Sequence, residues 1–247
     1  MPLSLKKQRW KINLDELINV SSFGQVMVIS ICRPQKANAL TVSMQVRITS
    51  EIVQKQELNR YAAFVIYGGE GKNFSAGADV KEKPADVDRD AFMERRSSTM
   101  FDLIRTILNC KKPIVAALNG DAVGSGFLIA LSADAIVYVE GVKVSLPELN
   151  FDRPTFAGID IVNYFLNRSI AKRMVLSGAP MTMDKLRSVG VFAENCQGGE
   201  VLANAVKLAA LLAQKPNAFQ LNKKAINQNL LEKLHESQKL SRLSREL

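Results

Sequence analysis

Three features of the sequence predict an α/β fold followed by a helical C-terminal part. Short apolar runs bounded by Gly, Pro or Asn alternate with longer stretches of helical periodicity. Two glycine turns, around Gly77 and around Gly124–Gly126, come after predicted strands. After Asn150 the pattern turns helical, with Glu200–Gln214 and Asn217–Leu234 as the longest segments.

Taken in order, Gln25–Cys32 (QVMVISIC) has the run of β-branched and apolar residues expected of a buried strand, and Arg33-Pro34 ends it. Asn38-Ala39-Leu40 leads into a helix near Thr41–Leu58, with Thr41 as N-cap because its hydroxyl can accept an orphan backbone N–H. Ala62–Tyr67 is a second strand, closed by Gly68-Gly69. Gly71–Glu82 is a loop, and the charged, proline-containing Lys83–Asp90 suits a mobile surface segment. Ala91–Asn109 can place Phe92, Met100, Phe101, Ile104 and Leu108 on one helical face.

Pro113–Leu118 is a core strand broken by Asn119-Gly120, and Gly124-Ser125-Gly126 opens an apolar helix near Phe127–Ser132. A further apolar strand leads to Leu146-Pro147-Glu148. Gly158–Leu166, Ser169–Leu176 and Met183–Ser188 read as short helices, with a turn at Ser177-Gly178-Ala179-Pro180.

Composition narrows the function classes. The chain has 247 residues, 47% of them hydrophobic, enough for one large domain or a domain with a helical annex. No apolar run approaches a membrane span. The basic Lys6, Lys7, Arg9 and Lys11 have no apolar segment behind them, so a soluble cytoplasmic protein without a secretory signal is expected. Cys32, Cys110 and Cys196 are isolated and odd in number, which fits free thiols in a reducing compartment. The only histidine, His235, leaves no means of building a His-based metal cluster or a Ser-His-Asp triad. The formal charge of +9 is scattered rather than striped, so nucleic acid is not the expected partner; phosphates on a cofactor-like substrate fit it as well.

The chemistry is carried by two glycine turns and one glutamate. Backbone N–H groups at a helix start lack intrahelical acceptors and sit in the positive end of the helix dipole. Two such donors, one from each turn, can hold a carbonyl oxygen that gains negative charge during a reaction. Glu148 can reach the same cavity as a general base, although taken singly it reads as a surface-loop residue.

Several motifs resemble the crotonase superfamily, the enoyl-CoA hydratase/isomerase family. They are Asn38-Ala39-Leu40, Phe74-Ser75-Ala76-Gly77-Ala78-Asp79-Val80-Lys81, Lys112-Pro113-Ile114-Val115-Ala116-Ala117-Leu118-Asn119-Gly120, Gly124-Ser125-Gly126 and Leu146-Pro147-Glu148. Together they span roughly residues 20–230 in the family's order. The resemblance implies a crotonase-like spiral of ββα units over 1–190, carrying the acyl-CoA site. A helical region over 191–247 would then serve trimerisation and site closure. The implied ligand is an acyl-CoA thioester, or the equivalent acyl-carrier-protein thioester, with no cofactor beyond the coenzyme A of the substrate itself and no metal. A homotrimer or hexamer is implied as well.

By the same resemblance, the two oxyanion donors fall on Ala78 and Ser125, with Gly124 beside them. The adenine-contacting backbone falls near Ala76, Asp79 and Val80, and the CoA entrance near Lys36 and Ala37. The family's hydratases carry two glutamates; the second matches Glu148 and the first falls on Leu128, which transfers no protons. Its isomerases keep the Glu148-type residue and an apolar partner, so a one-base double-bond isomerase is the leading expectation. A hydratase, decarboxylase or hydrolase is the alternative within the family. A non-catalytic acyl-thioester- or RNA-binding member is the alternative from another class. Where the family has Pro-Gly-x-Gly-Gly, this chain has Asn150–Gly158, in which Phe151 and Phe156 reshape the acyl pocket. Asp152 weighs as a turn residue before a second carboxylate. Arg153 weighs as its partner or as a contact for a polar acyl head group.

Overall fold

The computed structural model describes residues 17–82 and 88–243. The basic Lys6–Lys11 segment and residues 83–87 of the charged loop lie outside them.

The chain opens with a hairpin, β1 (Ile18–Phe23) and β2 (Val26–Ile31), paired antiparallel in the register Ile18 opposite Ile31. Helix α1 (Val42–Lys55) follows, capped as expected by Thr41, whose hydroxyl accepts from the Met44 amide at 3.2 Å. The Glu82 carboxylate, forty residues away, accepts the Val42 amide at 3.0 Å.

Units of two strands and a connection then repeat. β3 (Ala63–Tyr67) is followed by β4 (Asn73–Ser75) and α2 (Arg89–Asn109). β5 (Ile114–Leu118) is followed by β6 (Asp121–Val123) and α3 (Ser125–Ser132). β7 (Ala135–Val139) is followed by β8 (Lys143–Ser145) and a 3₁₀ turn over Pro147–Phe151. The chain continues through α4 (Phe156–Phe165), α5 (Arg168–Ser177), β9 (Met181–Thr182), α6 (Met183–Ser188) and β10 (Ala193–Cys196). It ends in α7 (Val201–Leu212) and α8 (Pro216–Leu243).

The first strand of each unit joins a six-stranded sheet of order β1-β2-β3-β5-β7-β10, and the second joins a four-stranded sheet of order β4-β6-β8-β9. This is the ββα spiral that the motifs imply. Every strand after β1 in the larger sheet runs parallel to its neighbour. A parallel sheet is covered on both faces, which explains why its strands are continuously apolar rather than alternating. One face carries Ile29, Phe64, Ile66, Ile114 and Tyr138 into the main core beneath α1, α2 and α3. The other carries Val28, Val65, Val115 and Val137 against Val201, Ala205 and Leu208 of α7.

An all-helical part after Asn150 is corrected by β9 and β10. β10 lies past residue 190 and adds to β7, in parallel, as the sixth strand of the sheet, while α7 covers the sheet's second face. Its sequence, AENC, places one buried residue among more exposed ones, so it lacks the apolar run of a central strand. Strands β4, β6 and β8 have three residues each, too few to show a period of two.

α8 is anchored to this body through Lys223, whose ammonium meets the Asp134 carboxylate at 2.7 Å with both side chains largely buried. The same carboxylate oxygen accepts the Ile114 amide at 2.8 Å, which fixes the start of β5. Nearby, the Asn227 amide donates to the Leu108 carbonyl at 3.0 Å.

Asn38 knits two loops together. It is fully buried, with φ of +55°, a conformation that Asn tolerates better than most residues. Its amide donates to the carbonyls of Gly68, Glu70 and Asn73, its Oδ1 accepts from the Arg33 amide, and its carbonyl accepts the Ser75 hydroxyl. Removing the amide leaves buried carbonyls without a donor and puts a residue less tolerant of positive φ in its place. Asn38→Ala is therefore expected to cost about 3 kcal/mol, measured by urea unfolding; a loss below about 1 kcal/mol would show that these bonds do not hold the loops.

Candidate active site

The turns after β4 and β6 meet main chain to main chain. A Cβ placed on Gly77, whose φ is +87°, would lie 2.7 Å from the Val123 carbonyl oxygen and 3.5 Å from the Ser125 nitrogen. Only glycine allows that approach. Gly124, with φ +53°, turns the chain into α3 and lies beside Glu148: a Cβ there would be 3.1 Å from Glu148 Oε1.

Two backbone amides in these turns are left over by the secondary structure around them. The Leu40 amide donates to the Gly77 carbonyl and the Asp79 amide donates to the Leu40 carbonyl, a parallel bridge opposite Ala78. In that pattern the amide of Ala78 points away from the bridge. Ser125 is the first residue of α3, so its amide has no acceptor within the helix.

Both residues line a cavity of about 940 Å³, near the top of the range of small-molecule sites. Its walls come from the 76–81 turn, α2, the turn into α3, and the segment from Pro147 to Ala157. Lys36, Ala76, Ala78, Asp79, Val80, Gly124, Ser125, Leu128 and Glu148 all line it. Ala37, next to Lys36, is not among the lining residues. Its carbonyl instead accepts the Ala76 amide at 2.9 Å, bracing the turn from behind.

Glu148 sits in the 3₁₀ turn rather than on an exposed loop. Its Oε2 is buried and has no hydrogen-bond partner among the described residues. Burial pushes its carboxyl above the ordinary carboxylate range, only partly offset by a bond from its own amide. The Ser125 hydroxyl is likewise buried and unpartnered among the described residues. Leu128, 4% exposed, presents an apolar wall one helical turn inside α3.

The other carboxylates lining the cavity are Asp79 and Asp90. Asp79 is held by the Arg33 guanidinium at 2.7 Å and accepts the Lys81 amide at 2.9 Å. Burial alone would push its carboxyl up, but these bonds and the charges of Arg33 and Arg96 hold it below its usual value. Asp90 is exposed in the first turn of α2. Asp152 adopts φ of +53° as the turn residue after Phe151 and does not line the cavity. Glu148 is thus the half-buried lining carboxylate without an ion-pair partner among the described residues.

Phe151, Arg153 and Phe156 line the cavity as their position predicts. Met93, Arg96, Ser97 and Met100 of α2 do so as well, together with Ser241 near the end of α8. Sequence reasoning missed these, because the periodicity of α2 marks its core face and says nothing of what its half-buried flank meets. Across the lining, Lys36, Lys81, Arg89, Arg96 and Arg153 outnumber the three carboxylates, which favours an anionic ligand.

The sequence profile of the enoyl-CoA hydratase/isomerase family matches residues 22–243. The 2,3-dehydroadipyl-CoA hydratase of Escherichia coli is 29% identical over 218 residues, covering 87% of this chain and 83% of its own. The carnitinyl-CoA dehydratase of Salmonella enteritidis is 30% identical over 200 residues, covering 81% and 75%. In fold, the enoyl-CoA hydratase of Bacillus anthracis superposes with a TM-score of 0.79 over 94% of this chain and 90% of its own, at 23% identity.

The Arg33–Asp79 pair gives the site a pH signature. A carboxyl depressed in the folded state contributes stability that is present above its ordinary pKa and lost as pH falls through the depressed one. Asp79→Asn is expected to lose about 1–2 kcal/mol near neutral pH, with the gap to the parent closing on acidification. Urea unfolding across pH 2–7 measures it; a gap that does not narrow in acid would refute the assignment.

Proposed function

The chain belongs to the enoyl-CoA hydratase/isomerase family, and on that premise we propose that it is a one-base double-bond isomerase of enoyl-CoA thioesters. An acyl-CoA substrate follows from the family. The isomerase reading is carried by Glu148, whose buried, unpartnered Oε2 lines a cavity where the other wall facing the reaction centre is the apolar Leu128.

In this reading the thioester oxygen lies between the amides of Ala78 and Ser125. Glu148, as carboxylate, takes a proton from the carbon next to the thioester carbonyl of a 3-enoyl substrate. The electron pair of that C–H bond moves toward the carbonyl, and the two donors stabilise the negative charge that collects on its oxygen. The same proton is returned two carbons further along, so the double bond moves into conjugation and no proton is gained or lost. Water addition requires a second group to steer or protonate, and paired carboxylates do this well. Leu128 removes one of the pair.

A carboxylate desolvated by its surroundings is a stronger base than one in water, because only the neutral form is at ease there. The reading also includes association through the C-terminal helices into a homotrimer or hexamer. It is supported by the exposed apolar Leu211 on α7 and Leu221 and Ile226 on α8.

Glu148→Gln is expected to lower isomerisation of a 3-enoyl-CoA at least about a hundredfold, with the Kd of a saturated acyl-CoA changed by less than threefold. In the parent, kcat/KM should rise with pH through an apparent pKa above the ordinary carboxylate range, since the base form is the deprotonated one. Unchanged isomerisation in Glu148→Gln, or hydration of a 2-enoyl-CoA exceeding isomerisation in the parent, contradicts the reading.

A further inference from the structure

Three arginines line the cavity and none is used by the proton transfer; two of them, Arg96 and Arg153, act on one another. Arg96 projects from α2 and Arg153 from the segment that carries Glu148, and both line the cavity. Arg96 is half-buried, and neither side chain forms an ion pair or hydrogen bond among the described residues. They are near enough for the charge of Arg153 to act against that of Arg96, on top of the larger penalty of Arg96's own burial. Asp79 and Glu82 are the acidic groups whose fields favour Arg96, and both are already engaged. Asp79 is bound by Arg33, and the Glu82 carboxylate accepts the Val42 amide.

Holding two like charges together at a cavity wall is unfavourable unless an anion arrives between them. Arg is suited to that task, since its planar fork binds a carboxylate through two parallel bonds. The position selects which anion. The Arg153 amide donates to the Glu148 carbonyl at 3.1 Å, so its main chain belongs to the same turn as the base. Apolar Met93, Met100 and Phe156 line the same cavity, which suits a hydrocarbon chain ending in a charge.

Resting on the acyl-CoA reading above, we infer that Arg96 and Arg153 form a specificity site for the distal carboxylate of an ω-carboxyacyl thioester, so that the preferred substrate is a dicarboxylic monothioester.

The test is calorimetric binding of saturated, unreactive thioesters in matched pairs: succinyl-CoA against butyryl-CoA, glutaryl-CoA against valeryl-CoA, and adipyl-CoA against hexanoyl-CoA. Each is repeated as its pantetheine thioester, which lacks the nucleotide phosphates. In at least one pair the carboxylated member should bind about tenfold tighter or more, as expected for a charge-assisted bidentate contact, and the pantetheine series should keep that preference. Arg96→Gln and Arg153→Gln should each reduce it to threefold or less. Equal or tighter binding of the neutral member in every pair overturns the inference alone, as does a preference that both variants retain. Weakening by the variants confined to CoA forms assigns the pair to the phosphates and also overturns it. No binding of any thioester overturns the acyl-CoA reading itself.

Discussion

The contact between the turn after β4 and the turn into α3 is the constraint on which the rest of the site depends. It is backbone against backbone: Gly77 lies on the Val123 carbonyl, and Gly126 lies where an added Cβ would be 2.7 Å from that of Ser75. A side chain at either position would separate the two turns. Their closeness brings the amides of Ala78 and Ser125 to one cavity wall. The parallel bridge from Leu40 sets the direction of one, and the start of α3 sets the other. In the proposed reaction neither amide depends on a side-chain rotamer, so little reorganisation would be needed as charge develops.

Around that contact the site sorts charge by burial. Glu148 is desolvated and left without a partner, which keeps its affinity for a proton high. Asp79, only a few residues from Ala78, is tied down by Arg33 and the Lys81 amide and is thereby removed from the chemistry. Two carboxylates on one cavity thus have different roles because one is stripped of partners and the other saturated with them. Leu128, buried at the same cavity, is the apolar residue on which the proposed one-base chemistry rests.

Much of this was legible in the sequence, for identifiable reasons. The central strands β2, β3, β5 and β7 are continuous apolar runs because both sheet faces are covered, and Thr41 announces α1 through its capping chemistry. Ala78, Ser125 and Glu148 stood out because glycine turns after strands are unusual punctuation, and the ordered motifs fixed their positions. The four-stranded sheet was not legible, since strands of two or three residues have no periodicity. β10 was hidden by polar residues on a strand reached late in the chain, and the helical pattern around it carried the reading. The bracing of the turn by the Ala37 carbonyl, which accepts the Ala76 amide, has no local sequence signal. Arg33 pairs with Asp79, distant along the chain, and Arg96 lies in the field of Arg153, distant likewise, and no local pattern marks such pairs.

The central claim is that one thioester oxygen is held by two main-chain donors while Glu148 addresses the adjacent carbon. A crystal structure with a saturated, unreactive acyl-CoA bound tests it most directly. The account predicts the thioester oxygen within about 2.7–3.1 Å of both the Ala78 and the Ser125 nitrogens, with a Glu148 oxygen against the carbon beside the carbonyl. A thioester oxygen bonded to neither amide, or a Glu148 carboxylate turned away from the acyl chain, would contradict it.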